Sequence, residues 1–251
     1  MGSESTIPQA RISVVIPVFN EESSLPLVLG AMPDGLQEIV VVDNGSTDAT
    51  ARVAARSGAT VVTESRRGYG AACLAGLAYL RARAPDIVVF LDGDFSDHPE
   101  EIPCLVEPIL QDGFDLVIGS RTLGRKEPGA LLLQARLGNR LAVFLLRALY
   151  GAHYTDLGPF RAARYARLMS LGMRDPDFGW TAEMQARAAL AGWKTTEVPV
   201  SYRRRVGVSK ITGTLSGSLR AGAKILSTLF WIRLRSGRQW TGARTGAAPQ
   251  P

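Results

Sequence analysis

The chain has 251 residues, 46% of them hydrophobic and 21% charged, which suits one large globular domain or two small ones. Aromatics are few, two histidines (His98 and His153) argue against a histidine-built metal or haem centre, and Cys73 and Cys104 read as two buried thiols rather than a disulfide or metal pair. The net charge of +6 is uneven: from Val198 onward there are ten Lys or Arg and no Asp or Glu, leaving a net −4 elsewhere, so an anionic partner is expected at the C-terminal end.

Met1 to Gln9 is polar and lacks the pattern of a signal peptide. No segment reaches the ~18 uninterrupted apolar residues of a spanning helix. The expected location is cytoplasmic, either free or peripheral on the inner face of the plasma membrane. Arg11 to Pro17 is a short apolar, β-branched run and reads as a buried parallel strand. Further strands are expected at Glu38–Asp43, Ala59–Thr63, Asp86–Leu91 and Asp115–Gly119, with helices at Glu22–Ala31, Asp48–Ser57, Tyr69–Ala84 and Glu100–Leu110 between them. This alternation predicts a mostly parallel central sheet with helices on both faces, whose ligands bind beyond the carboxyl ends of the strands. In the second half, helices are expected at Leu131–Leu149, Thr181–Leu190 and Leu215–Leu234. Short extended pieces are expected at Pro159–Ala163 and Thr195–Tyr202. The expected organisation is a flexible start (1–10), one catalytic domain (11–235) and a disordered tail (236–251). Within the domain, residues 11–125 form a nucleotide-sugar half and residues 126–235 an acceptor half.

Four strand ends carry chemistry: Pro17-Val-Phe-Asn-Glu21, Asp43-Asn-Gly-Ser46, Asp92-Gly-Asp-Phe-Ser96 and Gly119-Ser-Arg121. Carboxylates at Asp92 and Asp94, just past an apolar strand, can converge on one hard cation. Mg²⁺ or Mn²⁺ fits, since such ions are held by one or two carboxylates plus substrate phosphates. A lone D-x-D is more often a solvated turn; its place after a strand, with Asp43 at a neighbouring strand end, favours a metal–diphosphate site. Arg66-Arg-Gly-Tyr-Gly70 precedes a helix, where glycines let backbone approach phosphate, though a plain turn explains it nearly as well. It matches neither the dinucleotide fingerprint nor the P-loop.

Taken together, these motifs and their order resemble the family-2 glycosyltransferases with the GT-A fold, and within them the dolichyl- or polyprenyl-phosphate sugar transferases. The resemblance continues through Asp156-Leu-Gly-Pro-Phe-Arg161, Gly179-Trp-Thr-Ala-Glu183, Glu197-Val-Pro and Ser209-Lys210. It implies that Pro17, Phe19, Glu21 and Asp43 hold the base and ribose, with Gly68 on the nucleotide side. Asp92 and Asp94 would hold the metal, with Ser96 beside them. Arg121 and Arg136 would meet an acceptor phosphate, with Arg161 a further arginine for that role. Arg205, Ser209 and Lys210 would close over the donor phosphates. Asn44 stands where many relatives carry a second Asp, Ser96 where several carry Gln, and the hydrophobic C-terminal helices of the integral-membrane relatives are missing.

The implied reaction is inverting, metal-dependent transfer of a hexose from a nucleotide-sugar of the UDP-glucose or GDP-mannose type to a polyprenyl phosphate. A phosphate monoester is already ionised and needs cations rather than a base. A soluble or cell-envelope alcohol would instead need a carboxylate base, for which Asp156 and Glu183 are candidates unless they merely partner arginines. A nucleotidyltransferase is disfavoured, since no glycine-rich basic loop follows the first strand. A basic membrane- or nucleic-acid-binding module with a dead site is the reading from another class; nucleic acid is otherwise not expected as a partner. The oligomeric state is left open. Leu215–Leu234 mixes apolar and basic residues at helical spacing. It reads either as an interfacial helix facing anionic lipid or as an ordinary helix packed on the domain.

Overall fold

The computed structural model describes residues 10–207 and 215–242. Seven strands form one sheet: β1 (Ile12–Val18), β2 (Glu38–Asp43), β3 (Thr60–Thr63), β4 (Ile87–Phe90), β5 (Leu116–Ser120), β6 (Arg161–Arg164) and β7 (Thr195–Pro199). Their order is β3-β2-β1-β4-β6-β5-β7. All pairings are parallel except those of β6, which runs antiparallel between β4 and β5. The insertion of β6 separates β4, which leads to Asp92 and Asp94, from β5, which leads to Arg121.

The continuous apolar runs of β1 and β2 are explained by burial on both faces. Val15, Val40 and Val42 point into one core with α3 (Tyr69–Leu80), α5 (Leu133–Tyr150), α6 (Tyr165–Ser170), α7 (Trp180–Leu190) and α8 (Leu215–Gly242). Ile12, Val14, Ile16 and Val41 point into the other with α1 (Leu25–Gly30), α2 (Thr50–Arg56) and α4 (Ile102–Gln111). Alternation along a strand sends neighbours to opposite faces, and each fully buried Val, Leu or Ile stabilises the fold by about 1.5–3 kcal/mol.

Three expectations need correction. Cys73 is buried, but Cys104 is exposed, because it lies on the outer side of α4 while Ile102, Leu105, Val106 and Ile109 face the core. α8 continues to Gly242, past the expected tail boundary at 236; the interior Gly237 costs only about 1 kcal/mol and does not stop it. α6 was not anticipated: its six residues are too few for a periodic signal. α8 packs against α5 and α7. Leu229 is buried, whereas Phe230, Trp231 and Leu234 are 48%, 61% and 65% exposed.

Candidate active site

The ends of β1, β2 and β4 meet at one sheet edge and open on a cavity of about 560 Å³. The loops after β1 and β2 are stapled together. Asn20 takes φ 54°, its N–H donates to Ser46 Oγ (2.9 Å), and its Oδ1 accepts from Thr47 N–H (2.8 Å). Glu21 N–H donates to Thr50 Oγ1 (2.8 Å). These bonds hold Pro17, Phe19 and Glu21 in the cavity wall. Asp43 does not line the cavity; its Oδ1 accepts from Ser46 N–H (3.1 Å) and shapes the turn.

Asn44 does line it, and the structure explains the amide. Its Nδ2 donates to the carbonyls of Glu64 (2.9 Å) and Arg66 (2.7 Å), while its Oδ1 accepts from Gly68 N–H (2.8 Å). A carboxylate here would face two carbonyl oxygens with nothing to donate. The Arg66–Gly70 loop is thereby fixed against β2. Arg67 lies over Phe19, its Cζ 3.3 Å from the ring centroid, with Nη1 donating to Asn44 O (2.7 Å). Gly68 has φ 143°, and a Cβ there would stand 2.2 Å from Pro176 O.

Past β4 the chain carries three carboxylates. Gly93 is required because a Cβ would meet Val18 Cγ1 at 2.6 Å. Phe95 at φ 63° folds the chain back, so that Ser96 N–H and Oγ–H both donate to Asp94 Oδ1 (2.9 and 2.5 Å). The other oxygen of Asp94 pairs with Arg205 Nη2 at 2.6 Å, and Glu21 Oε1 lies 3.8 Å from the same nitrogen. Asp97, which the sequence reading passed over, accepts from Asp92 N–H (3.2 Å) and leaves Oδ1 buried without a partner. Burial, then Asp94, push the Asp97 carboxyl up to about 7. Burial, then Asp94 and Asp97, raise Asp92 well above the ordinary carboxylate range.

This crowded negative charge fits a hard divalent cation, which would relieve the repulsion and suits oxygen ligands. Among the described residues no group of three His, Cys, Asp or Glu side chains is arranged to hold a metal. Asp92 and Asp94 would supply two ligands, and phosphates and water the rest. Ser96, the third residue expected at the metal, is buried, and its hydroxyl donates to Asp94 and orients that carboxylate.

Past β5, outside the cavity lining, Arg121 Nε and Nη2 clamp both oxygens of Asp156 (2.8 and 2.7 Å), and Arg121 N–H donates to the same carboxylate (2.8 Å). Burial pushes the Asp156 carboxyl up, but the charge and hydrogen bonds of Arg121 outweigh it and hold the group below its usual value. Glu197 accepts from the backbone N–H of Thr155 and Asp156 (2.7 and 3.0 Å) and sets the loop. Glu183 accepts from the N–H groups of Arg174 and Asp175 (3.0 and 2.6 Å) and from Arg187 Nε (2.7 Å). Neither Asp156 nor Glu183 lines the cavity, and both pair with arginines, the structural one of the two roles that the sequence left open. Glu183→Gln should therefore lower stability by about 1–3 kcal/mol through its buried donors while leaving turnover per folded molecule intact. Thermal melts and single-turnover rates below the melt check this; a selective loss of turnover would restore Glu183 as a catalytic group.

Arg161 is also corrected. It is fully buried in β6 and donates to the carbonyls of Gly158 and Thr181, out of reach of an acceptor. Arg136 is exposed on α5. Ser209 and Lys210 lie outside the described residues. The cavity wall adds Asp177, Phe178, Arg220 and Lys224. Lys224 Nζ is 3.1 Å from Asp175 Oδ2, which also accepts from Thr228 Oγ1 (2.9 Å). Sequence spacing offered no sign that these four line the cavity, since their contacts join segments far apart in the chain.

A nucleotide-sized cavity at the strand ends, with a carboxylate cluster on its floor and cations around it, defines a glycosyltransferase of the GT-A fold. Residues 13–168 match the family described as Glycosyl transferase family 2, and the chain belongs to that family. It is 44% identical over 214 residues to an uncharacterized glycosyltransferase of Mycobacterium tuberculosis, covering 84% of this chain and 94% of that one. It is 34% identical over 233 residues to a dolichyl-phosphate hexose transferase of Haloferax volcanii, covering 89% and 96%. Among solved structures it resembles glucosyl-3-phosphoglycerate synthase of Mycobacterium tuberculosis, in complex with Mn²⁺, uridine diphosphate and glucosyl-3-phosphoglycerate. That match has a TM-score of 0.70 and 29% identity and covers 89% of this chain and 80% of that one.

Proposed function

We propose that this glycosyltransferase moves a hexose, with inversion, from a nucleotide-sugar to a polyprenyl phosphate in a reaction that depends on Mg²⁺ or Mn²⁺. The observation that carries the acceptor assignment is the commitment of Asp156 and Glu183 to arginines. With both engaged, a nucleophile that is already ionised suits the site better than an alcohol. The Haloferax relative, named for a lipid-phosphate acceptor, supports the same reading.

The residues divide the work. Phe19, with Arg67 stacked on its ring, would give the base a flat wall to lie against, and Asn44 fixes the loop that carries Arg67. When bound, the cation supplies charge neutralisation to the nucleoside diphosphate as it leaves. Asp94, oriented by Ser96, would hold that ion with Asp92, and Arg205 would pass from Asp94 to the donor phosphates. Arg121, pre-set by Asp156, would position the acceptor phosphate, with Arg136 nearer solvent.

A second reading is favoured by one residue. Asp177 lines the cavity and could serve as base for a soluble hydroxyl acceptor. A screen decides: UDP- and GDP-sugars with Mn²⁺, offered with a polyprenyl phosphate or with soluble hydroxyl acceptors. Transfer to the lipid phosphate that persists in Asp177→Asn is expected. Transfer only to the alcohols, lost in Asp177→Asn, would replace the proposal. No helix among the described residues is long and apolar enough to cross a membrane.

A further inference from the structure

The outer side of α5 is unlike the rest of the surface. Leu133, Leu137, Leu141 and Phe144 are 68%, 55%, 46% and 63% exposed. At about 100° per residue these four side chains fall within an arc of about 80° on the helix. Arg136, Arg140 and Arg147, all exposed, fall in an adjoining arc of about 40° on the same scale. α5 carries no Asp or Glu anywhere along its length. Leu132, just before the helix, is 41% exposed. The side facing the protein is different: Ala142 and Leu146 are buried, and Asn139 ties the helix to the acceptor loop. Its Nδ2 donates to Thr155 O (3.0 Å) and its Oδ1 accepts from Leu157 N–H (2.9 Å). Asp156, the partner of Arg121, lies between those two residues.

We infer that the outer face of α5 is a docking surface for an anionic lipid bilayer. An apolar arc bordered by arginines on a helix without acids is the pattern of an interfacial helix, apolar side in the acyl boundary and cations among phosphate headgroups. A second copy of the chain is a poorer occupant, since pairing two such faces would bring arginines toward arginines with no carboxylate on either helix. α8, packed against α5, adds exposed Phe230, Trp231 and Leu234. The opposite sides of α5 thus meet the bilayer and the loop that sets Arg121, on the order of 10 Å apart, one helix diameter. The purpose of the surface rests on the lipid-phosphate reading; its existence does not.

The test is co-sedimentation of the full chain with phosphatidylglycerol-rich vesicles and with pure phosphatidylcholine vesicles at low and high salt. Wild type should bind the former, and Leu137→Glu/Phe144→Glu should weaken binding by roughly tenfold or more. Arg140→Gln/Arg147→Gln should remove the preference for the anionic lipid. Both variants change exposed side chains, so both should keep the wild-type melt and Mn²⁺-dependent nucleotide binding. Unchanged vesicle binding by the Leu137/Phe144 variant, or no binding by wild type at low salt, overturns the docking surface. So does a wild-type dimer that this variant splits without loss of vesicle binding. Vesicle binding without transfer to any polyprenyl phosphate would overturn the acceptor assignment alone, and leave the surface standing.

Discussion

Asp94→Asn should abolish turnover, by roughly 10³-fold or more, while the protein stays folded. The loss follows from geometry: one oxygen of Asp94 is held by Ser96 and the other points at Arg205, the position from which a carboxylate would hold a cation against the donor phosphates. Weakening a metal's charge stabilisation by about 4 kcal/mol corresponds to that factor. The fold should tolerate the change, because removing one of three crowded carboxylates relieves repulsion on Asp92 and Asp97. That relief offsets the lost pair with Arg205, which keeps Glu21 within 3.8 Å. Thermal melts with nucleotide, with and without Mn²⁺, separate the two effects: the variant should melt like wild type alone and lose the metal-dependent stabilisation. Full activity of wild type in excess EDTA would remove the metal from the proposed function.

Arg121→Ala should have the second largest effect, and mostly through stability. It strips Asp156 of a bidentate partner in a buried site, and a buried charge left alone costs about 3–5 kcal/mol. A low activity in this variant would therefore say little about the acceptor. The informative protein is Arg121→Met/Asp156→Asn, in which neither buried charge remains and the amide can still accept from the backbone N–H of residue 121. It should recover most of the stability, and its KM for polyprenyl phosphate should stay raised while donor binding is normal. Normal acceptor use in the double variant would reduce Arg121 to a structural role. Asp156 also sets a pH dependence. Its carboxyl is held below its ordinary value in the folded protein, so the pair's contribution is present above the unfolded value and fades as pH falls through the folded one. The double variant should lack this acid-side loss.

The donor half was legible in the sequence because each functional group follows a strand of unbroken apolar residues. Pro17, Glu21, Asp92 and Asp94 come at the points where β1 and β4 run out of core, and the topology does the rest. Asp97 was passed over because it lies outside the D-x-D spacing, yet one of its buried oxygens has no partner among the described residues. Arg161 was misread for a similar reason: its charge suggests a surface, but β6 threads between β4 and β5, and a residue on a central strand is buried whatever its type. Its guanidinium survives there by donating to carbonyls. Asp156 and Glu183 stayed open between base and arginine partner: Arg187 stands four residues after Glu183 on one helix, but the pairing of Asp156 with Arg121 joins segments 35 residues apart. Arg220 and Lys224 were legible as basic residues of an amphipathic helix, but not as part of the cavity wall, and Asp177 left no local pattern.

The contact between Gly68, Gly70 and the segment around Pro176 limits how such enzymes can be recombined. Ala71 N–H donates to Pro176 O (2.8 Å), and a Cβ on Gly70 would stand 2.0 Å from Asp175 O. The two halves of the chain therefore touch main chain to main chain, and this seam lies beyond residue 168, where the family match ends. This seam is made by main chain, although elsewhere the two halves also share side-chain contacts, among them Arg205 with Asp94 and Trp180 with Phe90. A chimaera that exchanges the segment around Pro176 would need to keep the two missing Cβ atoms and the height of that carbonyl, along with the pairing of β6 to β4 and the Arg205–Asp94 ion pair.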